Sequence, residues 1–400
     1  MAEKRADKDN LNHKDNHEAK DNNKHSKLDP GRKSVSLAVK ILVCVFLPVI
    51  LCAAGYVIYM QANYYRIEDH TALESENNSE QILKTGTPYT AVTYNIGFGA
   101  YGPDYSFFMD TGEMEDGTLT AGKYGKAINK ESVETNINGA AEELEDLGAD
   151  FMLLQEVDVD ADRSFHINQL KQLKEEFSDY GNVFANNFHS AYLFYPFSDP
   201  HGAVDAGLLS FSRYRIEEAE RRSYPVDNSF ITKFTDLDRC FAVMRLPVEG
   251  GRELVLINSH MSAYDEGGLI RAKQLELLNS VMEEEYQAGN YVIVGGDFNH
   301  ALGEEAAEGF LSEQKFPAWV AVLTQEDIAD GITIMRAENE LDVPTCRGAD
   351  IPYKKGVNFT TVVDGFLVSD NVKATAENVD TDFGYSDHNP VLLQFELLQE

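Results

Sequence analysis

Between Ile41 and Met60 the chain reads ILVCVFLPVILCAAGYVIYM, twenty residues without a charge. A water-soluble fold would have to bury such a helix on every side, whereas at ~1.5 Å per residue it matches the ~30 Å hydrocarbon core of a bilayer. Pro48 kinks a helix of this kind without excluding it, because membrane helices tolerate proline. A cleaved signal peptide would carry an apolar core of only ~7–15 residues after a short basic start, and this run is too long and begins too late. The reading is a retained single-pass anchor. Lys and Arg are concentrated before it, including Arg32, Lys33 and Lys40, while Arg66 stands alone on the far flank. The positive-inside rule then puts the N-terminus in the cytoplasm and the rest of the chain outside, at the cell membrane.

This divides the sequence into a disordered cytoplasmic tail over 1–36, a transmembrane helix over 37–60, a polar stalk over 61–86 and a folded domain over 87–400. The net charge is −33. Basic residues outnumber acidic ones as far as Arg66, so the negative charge belongs to the remainder. Such a surface repels polyanions, which disfavours long nucleic acid as a ligand unless a local basic groove exists. Solubility or a high-salt habitat explains the same charge equally well. Cys240 and Cys346 fit no zinc spacing and are expected as free thiols, although an oxidising compartment would allow them to pair. Nothing in the sequence fixes an oligomeric state.

From about Thr87 apolar runs alternate with amphipathic stretches. YTAVTYNI, DFMLLQEV, AGLLSFS, CFAVMRLPV, ELVLINSHM, YVIVGGDFN, TVVDGFLVS and NPVLLQFEL read as strands. The EGG turn at 249–251 joins two of them as a hairpin. Val133, Ile137, Ala141, Leu144 and Leu147 share one helical face, and further helices are expected over about 167–177 and 268–287. Paired strands mixed with helical crossovers give mixed sheets covered by helices. Residues 300–357 are less legible.

Polar residues are placed unevenly against these strands. Asn95, Glu156 and His260 each end an apolar run. Asp297 and Asn299 follow the glycines of VIVGGDFNH, Asp387 and His388 stand in YSDHNP before the last strand, and Asp364 interrupts an apolar run. Taken singly, each has an ordinary explanation. An Asn at a strand end forms turns, a Glu can be salt-bridged, and a lone His is usually a satisfied structural residue. Together they pose a problem, since buried carboxylates such as Glu156 and Asp364 are costly without a partner.

In order, TYNIG, LQEVD, INSHMSAYDE, GGDFNH, VDGFLVSD and YSDHNP resemble the signature blocks of the endonuclease/exonuclease/phosphatase superfamily, over about residues 89–397. That superfamily includes pancreatic-type DNases, abasic-site nucleases, inositol polyphosphate 5-phosphatases and neutral sphingomyelinases. The resemblance implies a DNase I-like four-layer α/β sandwich, two mixed β-sheets flanked by helices, here preceded by one transmembrane helix. It implies that Glu156 ligates a divalent cation, with Asn95 beside it and Asp387 acting directly or through water. Hard oxygen donors suit Mg²⁺ or Mn²⁺. It further implies that Asp297 orients or deprotonates the attacking water and that Asn299 donates its amide to a phosphate oxygen. His388 would sit opposite the phosphorus, kept charged by Asp364, and His260 would act as a further donor or acid on the leaving-group side. The expected enzyme is a membrane-anchored phosphoric ester hydrolase acting on a lipid head group or small phosphorylated metabolite. An extracellular nuclease and a non-catalytic surface interaction module are the alternatives.

Arg163, His166 and Arg271 are further candidates for contacting an anionic substrate, each also readable as a surface ion pair. His300 gains no role. Two departures from the family pattern bear on substrate. Gly97 stands where abasic-site nucleases commonly carry an acid, and a loop of about thirty residues follows it. Its Tyr101, Tyr105, Phe107 and Phe108 could cover a substrate, dip into lipid or simply pack on the domain.

Overall fold

The period-two alternation of the strands decides both the core and the placement of the polar residues. In the computed structural model, which describes residues 36–230, 232–263, 268–317 and 320–399, two seven-stranded mixed sheets lie face to face. One sheet contains β1 (Thr71–Ala72), β7 (Glu218–Ser223), β8 (Cys240–Pro247), β9 (Glu253–His260), β10 (Tyr291–Asp297), β11 (Ile332–Met335) and β12 (Asp364–Ser369). Its order is β1-β7-β8-β9-β10-β12-β11, with β9 and β10 parallel. The other contains β2 (Ser75–Glu76), β3 (Pro88–Asn95), β4 (Phe151–Ala161), β5 (Gly181–Leu193), β6 (Gly202–Ser212), β13 (Val372–Asn378) and β14 (Val391–Leu397). Its order is β13-β14-β3-β4-β6-β5-β2, with β3 and β4 parallel.

Alternate side chains sort into layers. Ala91, Phe151, Leu153, Leu254, Leu256, Ile293 and Phe366 meet between the sheets. Val92, Tyr94, Met152 and Leu154 face outward onto α2 (Lys130–Leu147), which contributes Val133, Ile137 and Leu144. Helix α3 (Gln169–Glu176) adds Leu173 to the same layer. On the opposite side Val255, Ile257, Val292 and Val294 pack on Leu278, Val281 and Met282 of α4 (Leu269–Gln287). The result is the DNase I-like four-layer sandwich that the blocks imply. Helix α2 begins at an Asn129 cap and ends at Gly148 in the left-handed conformation, as its sequence asks.

Helix α1 (Leu37–Ala62) is long and apolar enough to cross a membrane, and its apolar window is unburied, consistent with a single-pass anchor. Apart from Ser36, the tail expected over 1–36 lies outside the described residues. The chain divides into a unit ending at Gly55 and another running from Tyr56 to Glu400.

The expected stalk over 61–86 is instead part of the fold. β1 pairs with β7 and β2 with β5, so this segment joins one edge of each sheet. Leu83 is fully buried in the inter-sheet core, and Arg66 is bonded to Asp238 at 2.6 Å. The composition misled because edge strands show solvent a polar face. The aromatic loop after Asn95 also packs inward. Phe98, Tyr101 and Tyr105 are buried, and Phe107 and Phe108 are half-buried. Cys240 and Cys346 are free and buried.

Candidate active site

The alternation that puts Ala91, Leu256 and Ile293 between the sheets carries on to Asn95, Asn258, His260 and Asp297 at the strand ends. His260, Asp297 and Asp364 are register partners across the three neighbouring strands β9, β10 and β12. A buried polar seam lies beneath them. Gln155 Nε2 donates to Asn258 Oδ1 at 2.8 Å across the two sheets, and Asn258 Nδ2 donates to Ser210 Oγ at 3.1 Å. The donors of the seam thus meet acceptors, although Gln155 Oε1 is buried without a partner among the described residues.

The two glycines before Asp297 have separate reasons. A Cβ on Gly295 would strike Phe366 and Leu153 between the sheets, and one on Gly296 would stand 2.0 Å from the Ser259 carbonyl oxygen of the neighbouring strand. Only glycines let β10 lie this close to β9 and the facing sheet.

Glu156 needs a distortion to reach the site. Alternation turns Gln155 inward and would turn Glu156 outward. A β-bulge between Leu154 and Val157 interrupts the pairing with β6, and Glu156 takes φ +58, a left-handed conformation unfavourable for a glutamate. Its carboxylate comes within 3.9 Å of His260 Nε2. Asn299 is also left-handed, at φ +50. Two of the site's residues thus take a backbone conformation that side chains disfavour.

They converge on Asp297. Its Oδ2 accepts from Asn95 Nδ2 at 3.1 Å and faces His260 Nε2 at 3.5 Å and His388 Nε2 at 3.8 Å, while its Oδ1 accepts from the Asn299 backbone N–H at 2.8 Å. Burial pushes the Asp297 carboxyl up to about 6, opposed by the His388 charge and reinforced by Asp364. Burial works against protonation of His388, yet Asp364, bonded to its Nδ1 at 2.8 Å, prevails and keeps the imidazole charged well above its usual range. His260 is driven the other way, by burial first and then by Arg239, and is neutral. Its Nδ1 is buried without a partner among the described residues.

The structure brings Asn95, Glu156, His260, Asp297, Asn299, Asp364, Asp387 and His388 together. The weaker candidates fare differently. Arg163 is engaged by a buried ion pair with Asp158 at 2.8 Å and lies over the Phe98 ring. His166 is exposed and faces Asp160 and Asp162. Arg271 is buried at the start of α4, its Nη1 3.5 Å from the Asn299 carbonyl oxygen. No role was expected for Ser386, which stands within YSDHNP and whose hydroxyl donates to the Asn95 carbonyl at 2.7 Å, or for Arg347, outside the blocks, whose Nη2 donates to the Tyr101 carbonyl at 2.9 Å. Their roles are visible only as bonds between segments far apart in sequence.

The profile of the Endonuclease/Exonuclease/phosphatase family matches residues 92–388. The chain belongs to this family. Its members are hydrolases of phosphoester bonds, which agrees with a site built around a raised carboxylate and a charged histidine. No curated protein matches the chain. Similar solved structures include TDP2 from C. elegans, 16% identical, covering 79% of this chain and 77% of its own with a TM-score of 0.49. A family protein from Leptotrichia buccalis is 15% identical over 77% of this chain and 99% of its own, with a TM-score of 0.48. D. rerio TDP2 in complex with a single-strand DNA product is 17% identical over 78% and 99%, with a TM-score of 0.46.

Family enzymes typically use divalent metals, and two groups here bear on where one fits. Asp297, Asp364 and His388 offer ligand atoms within 4.8 Å of one another. The Asp364–His388 bond already engages two of those groups, and a charged histidine is a poor ligand. Asp387 and Glu156 fit better. Burial lifts Asp387 to about 7, and the Glu156 charge adds to the shift although His388 and Arg347 oppose it. A buried carboxylate held up in part by another carboxylate is the kind of donor set a hard divalent cation would favour.

Proposed function

We propose that this protein is a membrane-anchored, extracytoplasmic phosphoesterase dependent on Mg²⁺ or Mn²⁺, hydrolysing a lipid head group or small phosphorylated metabolite by direct water attack. The observation that carries the reading is the contact of a raised carboxylate, Asp297, with a histidine held cationic by a second carboxylate. Asp297 is ionised at neutral pH yet more basic than an ordinary aspartate, which suits it to take the proton of the attacking water. Asn95 and the Asn299 N–H fix its two oxygens. His388, positive and held by Asp364, offsets the charge that grows on the phosphoryl oxygens. Asn299 uses one amide hydrogen on the Met261 carbonyl, at 2.9 Å, and has another for a phosphate oxygen. His260, neutral, borders the site on the β9 side as a donor to the leaving group.

Glu156 and Asp387, with the Asn95 side-chain oxygen, would hold the cation. When bound, it would supply Lewis-acid polarisation of the phosphate. The preference for small or lipid-borne esters over long nucleic acid rests on the acidic surface and on α1 as an anchor.

The test is hydrolysis of a generic phosphodiester and a generic phosphomonoester by the full-length chain with Mg²⁺ or Mn²⁺, with sphingomyelin, inositol phosphates and plasmid DNA as candidate substrates. Asp297→Ala and His388→Ala should each lower kcat/KM by about 10³-fold, and EDTA should abolish turnover. Unchanged rates in either variant would remove the site assignment, and EDTA-resistant turnover would remove the metal.

A further inference from the structure

Exposed aromatic side chains gather at the C-terminal end of α1. From Tyr56 onwards this helix belongs to the same unit as the sheets. Tyr56 Oη donates to the Tyr192 carbonyl at 3.1 Å, and the Tyr192 N–H donates to Tyr59 Oη at 3.2 Å. The Tyr56 and Phe194 rings meet edge to face at 5.4 Å. The hairpin that joins β5 to β6 is therefore clamped to the end of the apolar run. A second segment is tied there as well. Lys233 Nζ donates to Gln61 Oε1 at 2.8 Å, and the Tyr64 and Phe234 rings meet at 5.5 Å.

Both segments turn aromatic rings to solvent. Phe197 is 86% exposed, Tyr195 64% and Phe230 59%, and Phe194 is exposed too. In a chain with 67 acidic residues against 34 Lys and Arg, residues 190–198 carry no charge. Asp199, just beyond them, turns back onto the domain and accepts from the Gly125 N–H at 3.0 Å. Rings exposed in a group mark a surface that something covers. Their place in the chain indicates what. If Ile41–Met60 spans a bilayer, Tyr56 and Tyr59 stand at its boundary, where tyrosines of membrane proteins gather. Groups bonded to those two side chains lie at that boundary too, whatever the course of the preceding turns.

We infer that the β5–β6 tip, with Phe230 and Lys233, is a lipid-contact surface. Phe194, Tyr195 and Phe197 enter the interfacial layer of the bilayer that α1 crosses, and Lys233 reaches its phosphates with the N–H groups that Gln61 leaves unused. The inference rests on the anchor reading and not on the phosphoesterase one. Charge alone would not hold this acidic domain against anionic head groups, whereas aromatic insertion can. The tip also leads to the site. Tyr195 meets Phe108 at 5.5 Å, Phe108 meets Phe107 at 4.9 Å, and Phe107 meets Tyr101 at 6.0 Å. Tyr101 and Asp387 both lie against Gly97. Docking through the tip would hold the loop after Asn95 near the lipid surface, within reach of esters in the same bilayer.

The experiment uses the full-length chain in phosphatidylcholine vesicles, with its single tryptophan removed as Trp319→Phe and Phe197→Trp as the reporter. Leu341→Trp is the control. Leu341 is exposed and follows β11, whose far end is joined to β13 by the Ala337–Ala376 bridge, at the opposite edge of both sheets. Phe197→Trp should emit to the blue of Leu341→Trp and lose emission when the acyl chains are brominated, while the control should not. Phe197→Trp emission that bromine leaves unchanged would overturn the inference. So would a blue shift that resists bromine and grows with the ratio of protein to lipid, which would assign the surface to a second copy of the chain. Should Phe197→Trp not fold, Phe230→Trp decides by the same reading. Alkaline carbonate separates the two claims. A chain that it extracts from the vesicles loses the anchor and this surface together, and one that it leaves in place with an unquenched reporter loses only the surface.

Discussion

As the proposed base, Asp297 meets two opposed demands. A base must be ionised to accept a proton and basic enough to want one, and burial beside Asp364 with His388 opposite brings this carboxyl to about 6. The activity of the wild type should therefore fall as pH drops below about 6, where Asp297 takes up a proton before substrate arrives. Asp364 raises both Asp297 and His388, so replacing it removes one cause of each elevation. In Asp364→Asn the imidazolium is lost at a lower pH and the base is freed at a lower pH. Both limbs of the kcat/KM profile should move to lower pH, with a fall of about 10- to 100-fold at the optimum. Limbs that stay in place would mean that these two groups do not govern turnover. The residue types of this site were legible in the sequence because they stand in blocks at strand ends. Their bonding was not. Arg163 has the right charge and a plausible position, yet it completes a buried ion pair with Asp158. Which guanidinium is paired depends on segments that meet only in three dimensions.

At the scale of the element, period-two alternation made most of the central strands readable, and the same alternation delivers Asn95, His260 and Asp297 to the inner face. Glu156 breaks that rule and needs a bulge, which leaves no mark in the sequence beyond a polar residue one place out of phase. The glycines of VIVGGDFNH show close packing as directly. Gly296→Ala drives a methyl into the Ser259 carbonyl and pushes β9 and β10 apart, carrying His260 and Asp297 with them. A loss of roughly 1–3 kcal/mol in unfolding free energy is expected by denaturant titration, with activity falling further than stability. An alanine accommodated at no cost would contradict the close approach. The edges were harder to read. β5, next to the edge, carries Asn186, Asn187 and His189 within its run, and β1 and β2 are two residues each. Short edge strands take their structure from the neighbour they join, so their own composition carries little signal.

At the scale of the whole molecule, the acidic domain and the apolar α1 make separate statements. The charge concerns partners and solubility, and α1 concerns where the catalytic unit resides. Under the proposed topology, with the N-terminus inside, a protease added to intact cells should digest or release the catalytic unit, and protection until the cells are opened would reverse it. The form of any released enzyme is limited by residues 64–86. This segment covers the outer strand of one sheet with β1 and the outer strand of the other with β2, and Leu83 fills the core between them. Cut away at residue 87, the domain would present two unpaired backbone edges to solvent, open to pairing with other copies of itself. What looks in sequence like a dispensable tether closes both sheet edges, and a soluble fragment that keeps it should stay monomeric at concentrations where one starting at residue 87 associates, as light scattering would report.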